Sequence, residues 1–245
     1  MDQNILVVDD EQEIADLLEV YLKNDGYRVF KFYNGTDALS CINTTRIDLA
    51  ILDVMLPDLD GFHLCQKIRE KYFYPIIMLT AKVEDGDKIM GLTLGADDYI
   101  TKPFNPLEVT ARVKTQLRRY TRYNHAADAA GDAKYGDTEY GNAKYGNAEY
   151  DIRGLTINRD THKCTLFGEE ISLTPIEFSI LWYLCENRGK VISSEQLFEH
   201  VWEEKFLDNN NTVMAHIGRL REKLKEPARK PKFIKTVWGV GYTIE

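Results

Sequence analysis

The sequence predicts a parallel α/β domain of five βα units, joined by a linker to a smaller α+β domain. Three observations carry that expectation. Apolar runs of strand length alternate with amphipathic helical patterns through residues 1–123, as βα crossovers require. Residues 124–150 then lose nearly every aliphatic side chain and fall into a polar repeat. From 151 to 245 the pattern becomes short strands, capped helices and a terminal hairpin.

The chain opens with Ile5-Leu6-Val7-Val8, which runs directly into Asp9-Asp10-Glu11. Ile14, Leu17, Leu18, Tyr21 and Leu22 fall on one face of a helix stopped by Gly26. Arg28 to Phe32 reads as a strand, and a short helix carrying Ala38, Leu39 and Ile42 follows. Leu49-Ala50-Ile51-Leu52-Asp53 reads as a strand buried on both faces, which delivers Asp53 to its carboxyl edge. A helix around Leu64, Cys65 and Ile68 leads to Pro75-Ile76-Ile77-Met78-Leu79-Thr80, whose polar end shares that edge. A helix is expected over roughly 85–94, then a short strand ending at Lys102-Pro103, then a closing helix from Pro106 to about Tyr120. Asp9, Asp10 and Asp53 thus crowd one edge. Hard oxygen ligands packed this way repel one another unless a hard cation such as Mg²⁺ neutralises them.

The linker repeats Lys134-Tyr135-Gly136-Asp137, Glu139-Tyr140-Gly141-Asn142 and Lys144-Tyr145-Gly146-Asn147. A period of five suits neither helix nor strand, and the glycines oppose both, so a flexible tether is expected.

Strands are expected near 155–157, 163–166 and 170–172. Thr174-Pro175-Ile176-Glu177 is a capping box with proline at the first helical position, and Ser193-Ser194-Glu195-Gln196 repeats the signal. The helix from Thr212 turns Val213, Ile217, Leu220 and Leu224 inward and leaves His216, Arg219, Arg221 and Lys223 elsewhere. Phe233–Val237 and Tyr242–Ile244 form a hairpin around Gly239-Val240-Gly241. Helix, turn, basic helix and hairpin make a winged helix.

The formal charge of -8 is uneven. Residues 1–123 carry 15 basic against 20 acidic groups, whereas residues 212–244 carry 8 against 2. That basic stretch is a candidate phosphate-binding surface, although a charge run alone is more often a solvated helix face. Cys41, Cys65, Cys164 and Cys185 are scattered, with no zinc spacing, and read as reduced core thiols. The N-terminus lacks a secretory pattern and no apolar run reaches membrane length, so a cytoplasmic protein with no membrane partner is expected.

Asp9-Asp10-Glu11, Asp53, Thr80 and Lys102-Pro103, each at a strand end in this order, resemble the receiver domain of bacterial two-component response regulators, a flavodoxin-like (βα)5 fold. Leu173–Phe178, His216–Leu224 and Thr236–Tyr242 resemble the winged helix-turn-helix effector domain of OmpR/PhoB-type regulators. Within that family the chain is most similar to VanR-type regulators of glycopeptide resistance.

The resemblance implies a phosphoacceptor at Asp53, Mg²⁺ held by Asp9, Asp10, Asp53 and the Met55 carbonyl, and Lys102, Thr80 and Tyr99 as the groups that read the phosphoryl oxygens and switch. It implies DNA contacts from Asn211, Thr212, His216, Arg219, Arg221, Thr236, Trp238 and Tyr242, with Arg219 the candidate base reader. A dimer formed on phosphorylation is expected through Lys88, Asp97 and Asp98 on one side and Glu108, Arg112 and Arg119 on the other. The implied partners are a sensor histidine kinase, promoter DNA, RNA polymerase and a second copy of the chain.

Asn211 and Gly218 stand where members often have arginine, which removes phosphate contacts. Two rivals fit less well. An aspartyl-phosphate hydrolase needs a water-orienting base, and Met55 and Lys82 are not bases of that kind. A flavin-binding domain needs a phosphate loop after the first strand, where three acids stand instead.

Overall fold

A computed structural model describes residues 3–81, 95–129, 148–203, 205–206, 211–227 and 230–245, the side chains of 122–129 and 211 excepted. The expected helix over 85–94, Lys88 and the tyrosine repeats lie outside the described residues. By contact the chain divides into two compact units, Met1–Tyr120 with Phe206–Arg219, and Thr121–Lys205 with Leu220–Glu245.

In the first unit, β1 (Asn4–Val8), β2 (Arg28–Phe32), β3 (Leu49–Asp53), β4 (Ile76–Ala81) and β5 (Asp98–Lys102) form one sheet in the order β2-β1-β3-β4-β5. Every pairing is parallel. Strand order reverses at β1, so a crevice opens between the carboxyl ends of β1 and β3. Those ends are the acidic ones.

The period-two alternation of the strands sorts the core into two layers. Leu6, Val8, Ala50, Leu52, Ile76 and Met78 face α2 (Gly35–Ile42) and α3 (Gly61–Arg69). Ile5, Val7, Leu49, Ile51, Ile77 and Leu79 face α1 (Gln12–Asn24) and α4 (Pro106–Ala129). Both faces being covered explains why these strands read as unbroken apolar runs. Asn34 and Asp60 cap α2 and α3, accepting from the backbone N–H groups of Asp37 and His63 at 2.8 Å each.

Helix α4 runs to Ala129, past the expected domain end at 123. Ala126, Ala127 and Ala129 favour helix, and the first glycine comes at Gly131.

In the second unit β6 (Glu149–Ile152), β7 (Leu155–Asn158), β8 (Lys163–Leu166) and β9 (Glu169–Glu170) form an antiparallel sheet. Strand β6 begins inside the stretch read as linker. Its Tyr150 ring packs 4.9 Å from that of Trp182, a long-range contact the local repeat conceals. Helices α5 (Pro175–Glu186) and α6 (Ser194–Trp202) and the hairpin of β10 (Ile234–Val237) and β11 (Gly241–Ile244) complete this unit, while α7 (Asn211–Lys223) falls in the first unit up to Arg219 and in the second from Leu220. Both expected capping boxes are present, at Thr174/Glu177 and Ser193/Gln196.

Candidate phosphoacceptor site and nucleic-acid interface

Asp9 leaves β1 and Asp53 ends β3, and both side chains are buried, while Asp10 is exposed. One carboxylate oxygen from each lies within 4.8 Å of the other two. Lys102, at the end of β5, reaches back across the sheet edge. Its Nζ stands 2.9 Å from Asp9, 3.0 Å from Glu11 and 3.2 Å from Asp53. One ammonium therefore meets three carboxylates, and Asp10 adds a fourth to the cluster.

The imbalance appears in the acidities. Burial pushes the Asp9 carboxyl up to about 6, with the neighbouring Asp53 adding to the rise and Lys102 opposing it. Burial also raises Asp53, against the pull of Lys102 and of the Met55 N–H that donates to it. For Lys102 burial works against the charge, but hydrogen bonds to Asp9 and Glu11 outweigh it and hold the ammonium above its ordinary range. Three hard oxygen donors with uncompensated charge fit a divalent cation of the Mg²⁺ type.

Gly61 closes the site from below. A Cβ there would lie 2.0 Å from the Asp53 carbonyl oxygen, so only glycine lets α3 start this close to the end of β3. The buried Thr80 hydroxyl donates to the Ala81 carbonyl at 2.8 Å. Tyr99 packs against the layer formed with α2 and α3, and burial raises its phenol far above the ordinary value.

The acidic residues expected at a dimer face have other partners. Asp97 is fully buried, accepts from the Ile76 N–H at 2.9 Å and pairs with Arg69 at 2.6 Å. It is a structural group and not a surface charge, held inside just ahead of β5 by these partners. Asp98, itself buried, pairs with Arg112 at 2.9 Å, and Arg112 also meets Glu108 at 3.1 Å, all within one chain. Arg119 has bonding within the chain as well.

The basic helix α7 also departs from expectation. His216 and Arg219 are buried in the first compact unit, Arg219 being 6% exposed, and the guanidinium hydrogen-bonds the imidazole one turn away. Arg221 donates to the Ile234 carbonyl at 2.7 Å and to the Thr236 hydroxyl at 2.8 Å, fastening α7 to the hairpin. Tyr242 is buried in that hairpin. Trp238, at the tip, is 90% exposed. The outward row of α7 carries Met214 and Gly218, with Thr212 half-buried at its start; Asn211 opens the helix. A helical wheel finds that row once the apolar stripe is fixed, but long basic side chains draw the eye away from it.

Comparison with known proteins places these features. Residues 5–114 match the response regulator receiver domain, and residues 168–244 match the C-terminal domain of transcriptional regulatory proteins. Over its full length the chain is 61% identical to the regulatory protein VanRc of Enterococcus gallinarum, all of which it covers. It is 54% identical to VanR of Enterococcus faecium, again over all of both chains. Among solved structures it is similar to the C128D mutant of RitR, at 29% identity and a TM-score of 0.70 over 99% of each chain. It is also similar to DrrB, a Thermotoga maritima OmpR/PhoB homolog, at 34% identity and a TM-score of 0.50 over 100% of this chain and 99% of that one.

Proposed function

The chain belongs to the OmpR/PhoB-type response regulators, and from that membership we propose that Asp53 accepts a phosphoryl group from a sensor histidine kinase and so controls promoter binding. It is a VanR-type two-component transcription factor and not an enzyme. The observation that carries the phosphoacceptor reading is the Asp53 carboxylate, buried at a strand end, 3.2 Å from Lys102 and beside Asp9 and Asp10.

A carboxylate oxygen of Asp53 forms the new bond to phosphorus as the bond from phosphorus to the donor's imidazole nitrogen breaks. Both partners carry negative charge, so neutralisation is the chief requirement. Asp9, Asp10, Asp53 and the Met55 carbonyl would hold Mg²⁺, which when bound supplies that neutralisation. Lys102, released from Asp9 and Glu11, is within reach of the phosphoryl oxygens. The Thr80 hydroxyl exchanges the Ala81 carbonyl for a remaining phosphoryl oxygen, and the Tyr99 ring adjusts to its movement.

In the second half, α7 from Thr212 and the hairpin tip at Trp238 are the elements that meet DNA. Base reading by Arg219 and phosphate contact by His216 require both side chains to be uncovered first. Receivers then pair through the face that carries Asp98, Glu108, Arg112 and Arg119, Lys88 being a further candidate from the sequence alone, and the expected linker would let the effector domains occupy tandem sites. RNA polymerase is the expected partner at the promoter, and glycopeptide-resistance or cell-envelope genes are the expected targets. Among the described residues no helix is long and apolar enough to cross a membrane, and action in the cytoplasm fits a promoter-binding role.

Acetyl phosphate with Mg²⁺, followed by mass-spectrometric mapping, tests the central step. Label on Asp53 that is abolished by EDTA is the expected result. Uptake that persists in Asp53→Ala would overturn the assignment.

A further inference from the structure

We infer that Asp58 is a positioning residue for the metal and phosphoryl site, acting as the anchor that docks the β3–α3 loop onto the start of α2 and so fixes the Met55 peptide. The inference rests on the Mg²⁺ site of the preceding section and adds what holds it in shape.

The Asp58 carboxylate leaves its own loop and accepts three hydrogen bonds from α2. The Gly35 N–H donates at 2.8 Å, the Thr36 N–H at 2.9 Å, and the Thr36 hydroxyl donates to the second oxygen. These bonds hold its carboxyl well below the usual carboxylate range, the Thr36 hydroxyl contributing most. The dock has an apolar half too. A Cβ on Gly35 would lie 2.9 Å from both the Cβ and the carbonyl oxygen of Leu59, so the loop sits on α2 as closely as glycine permits.

The same loop is tied at its base. Val54 N–H donates to the Leu79 carbonyl at 3.0 Å, and Gly61 N–H donates to the Val54 carbonyl at 2.9 Å. Between base and dock lie Met55, Leu56 and Pro57. Met55 is 69% exposed, so burial does little to hold it. Pro57 has a fixed φ, and the residue before a proline is confined to extended backbone, so Leu56-Pro57 behaves as a short rigid strut. A displacement of Asp58 is therefore transmitted to the Met55 peptide and is not absorbed on the way. That peptide matters twice: its N–H donates to the Asp53 carboxylate, and its carbonyl is the neutral member of the proposed metal set.

A capping role alone predicts something different. Asn34 already caps α2 through the Asp37 N–H, a bond within the helix's own first turn. Losing either cap weakens the helix, but only the loss of Asp58 releases Met55.

The experiment titrates Mg²⁺ alone into full-length wild type, Asp58→Ala, Thr36→Val and Asn34→Ala by calorimetry, with urea denaturation of each. We expect Asp58→Ala to weaken Mg²⁺ binding about tenfold and Thr36→Val a few-fold, while Asn34→Ala lowers stability and leaves the Mg²⁺ affinity near wild type. Acetyl phosphate labelling of Asp58→Ala should recover its wild-type rate at saturating Mg²⁺, with the half-saturating concentration shifted by the same factor. Wild type that binds Mg²⁺ beside an Asp58→Ala variant that binds it equally well overturns the inference alone. An Asn34→Ala variant that loses as much Mg²⁺ affinity as Asp58→Ala overturns it likewise, since general weakening of α2 would then suffice. Wild type that binds no Mg²⁺ overturns the underlying site and the inference with it.

Discussion

The Lys102 ammonium stands closer to Asp9, at 2.9 Å, than to Asp53, at 3.2 Å. The lysine therefore chiefly neutralises the buried Asp9 carboxylate. Removing it leaves buried carboxylates uncompensated. Lys102→Ala should cost about 3–5 kcal/mol of stability at pH 7, the range for stripping one partner from a buried pair. Urea denaturation with and without Mg²⁺ checks this, because the cation should restore more stability to the variant than to wild type.

Acidity at the site gives the metal-free protein an inverted pH response. The folded state holds a proton on Asp9 up to about 6, where the unfolded chain releases it near 3.8. Stability from this group is full below that lower value and is lost as pH rises through about 6. Asp53 is shifted the same way, whereas Asp58 and Asp60, held low by hydrogen bonds, contribute fully above their ordinary values and lose that contribution as pH falls further. Thermal melts from pH 4.5 to 7 should fall for wild type and flatten for Asp9→Asn. A cation must displace that proton, so Mg²⁺ affinity at pH 5 should be about tenfold below that at pH 7.

Asp97 and Asp98, at the start of β5, should respond differently when their pairs are broken. Asp97→Ala strands the Arg69 guanidinium in the interior and should destabilise the monomer by about 3–5 kcal/mol. Arg112→Glu strips the buried Asp98 of a partly buried partner and should cost about 1–3 kcal/mol or more while blocking any dimer on that face. Sedimentation with a phosphate mimic, alongside urea denaturation, separates the two effects. A phosphorylated Arg112→Glu protein that dimerises normally would exclude this face.

On DNA the three basic or aromatic candidates should separate by readout. Arg221→Ala removes bonds to Ile234 and Thr236, so it should lose about 1–3 kcal/mol of stability even without DNA. Arg219→Ala should flatten the preference among sequences, at about 1–3 kcal/mol for the base it reads. Trp238, exposed at the hairpin tip while Trp202 is buried, should dominate any fluorescence change on adding duplex. A change undiminished in Trp238→Phe would remove the tip from the interface.

How much of this is legible in the sequence differs between the halves of the chain. The receiver sheet, its strand ends and the identity of Asp9, Asp10, Asp53, Thr80 and Lys102 can be read directly, because a strand buried on both faces writes itself as an apolar run and its end is marked by the first polar residue. The helix caps at Thr174 and Ser193 are equally local. Strand β6 escapes such a reading because its pairing with β7 and the Tyr150 contact with Trp182 depend on partners the repeat does not announce. Charge is the least reliable guide. Asp97, His216 and Arg219 read as surface groups because they are polar, and tertiary packing buries all three beside specific partners. Sequence spacing thus determined which residues reach the sheet edge, since the backbone period fixes that. Only the folded chain decided which charges face water and which are consumed inside, since burial is set by elements distant in sequence and a charge can go under when a partner meets it there.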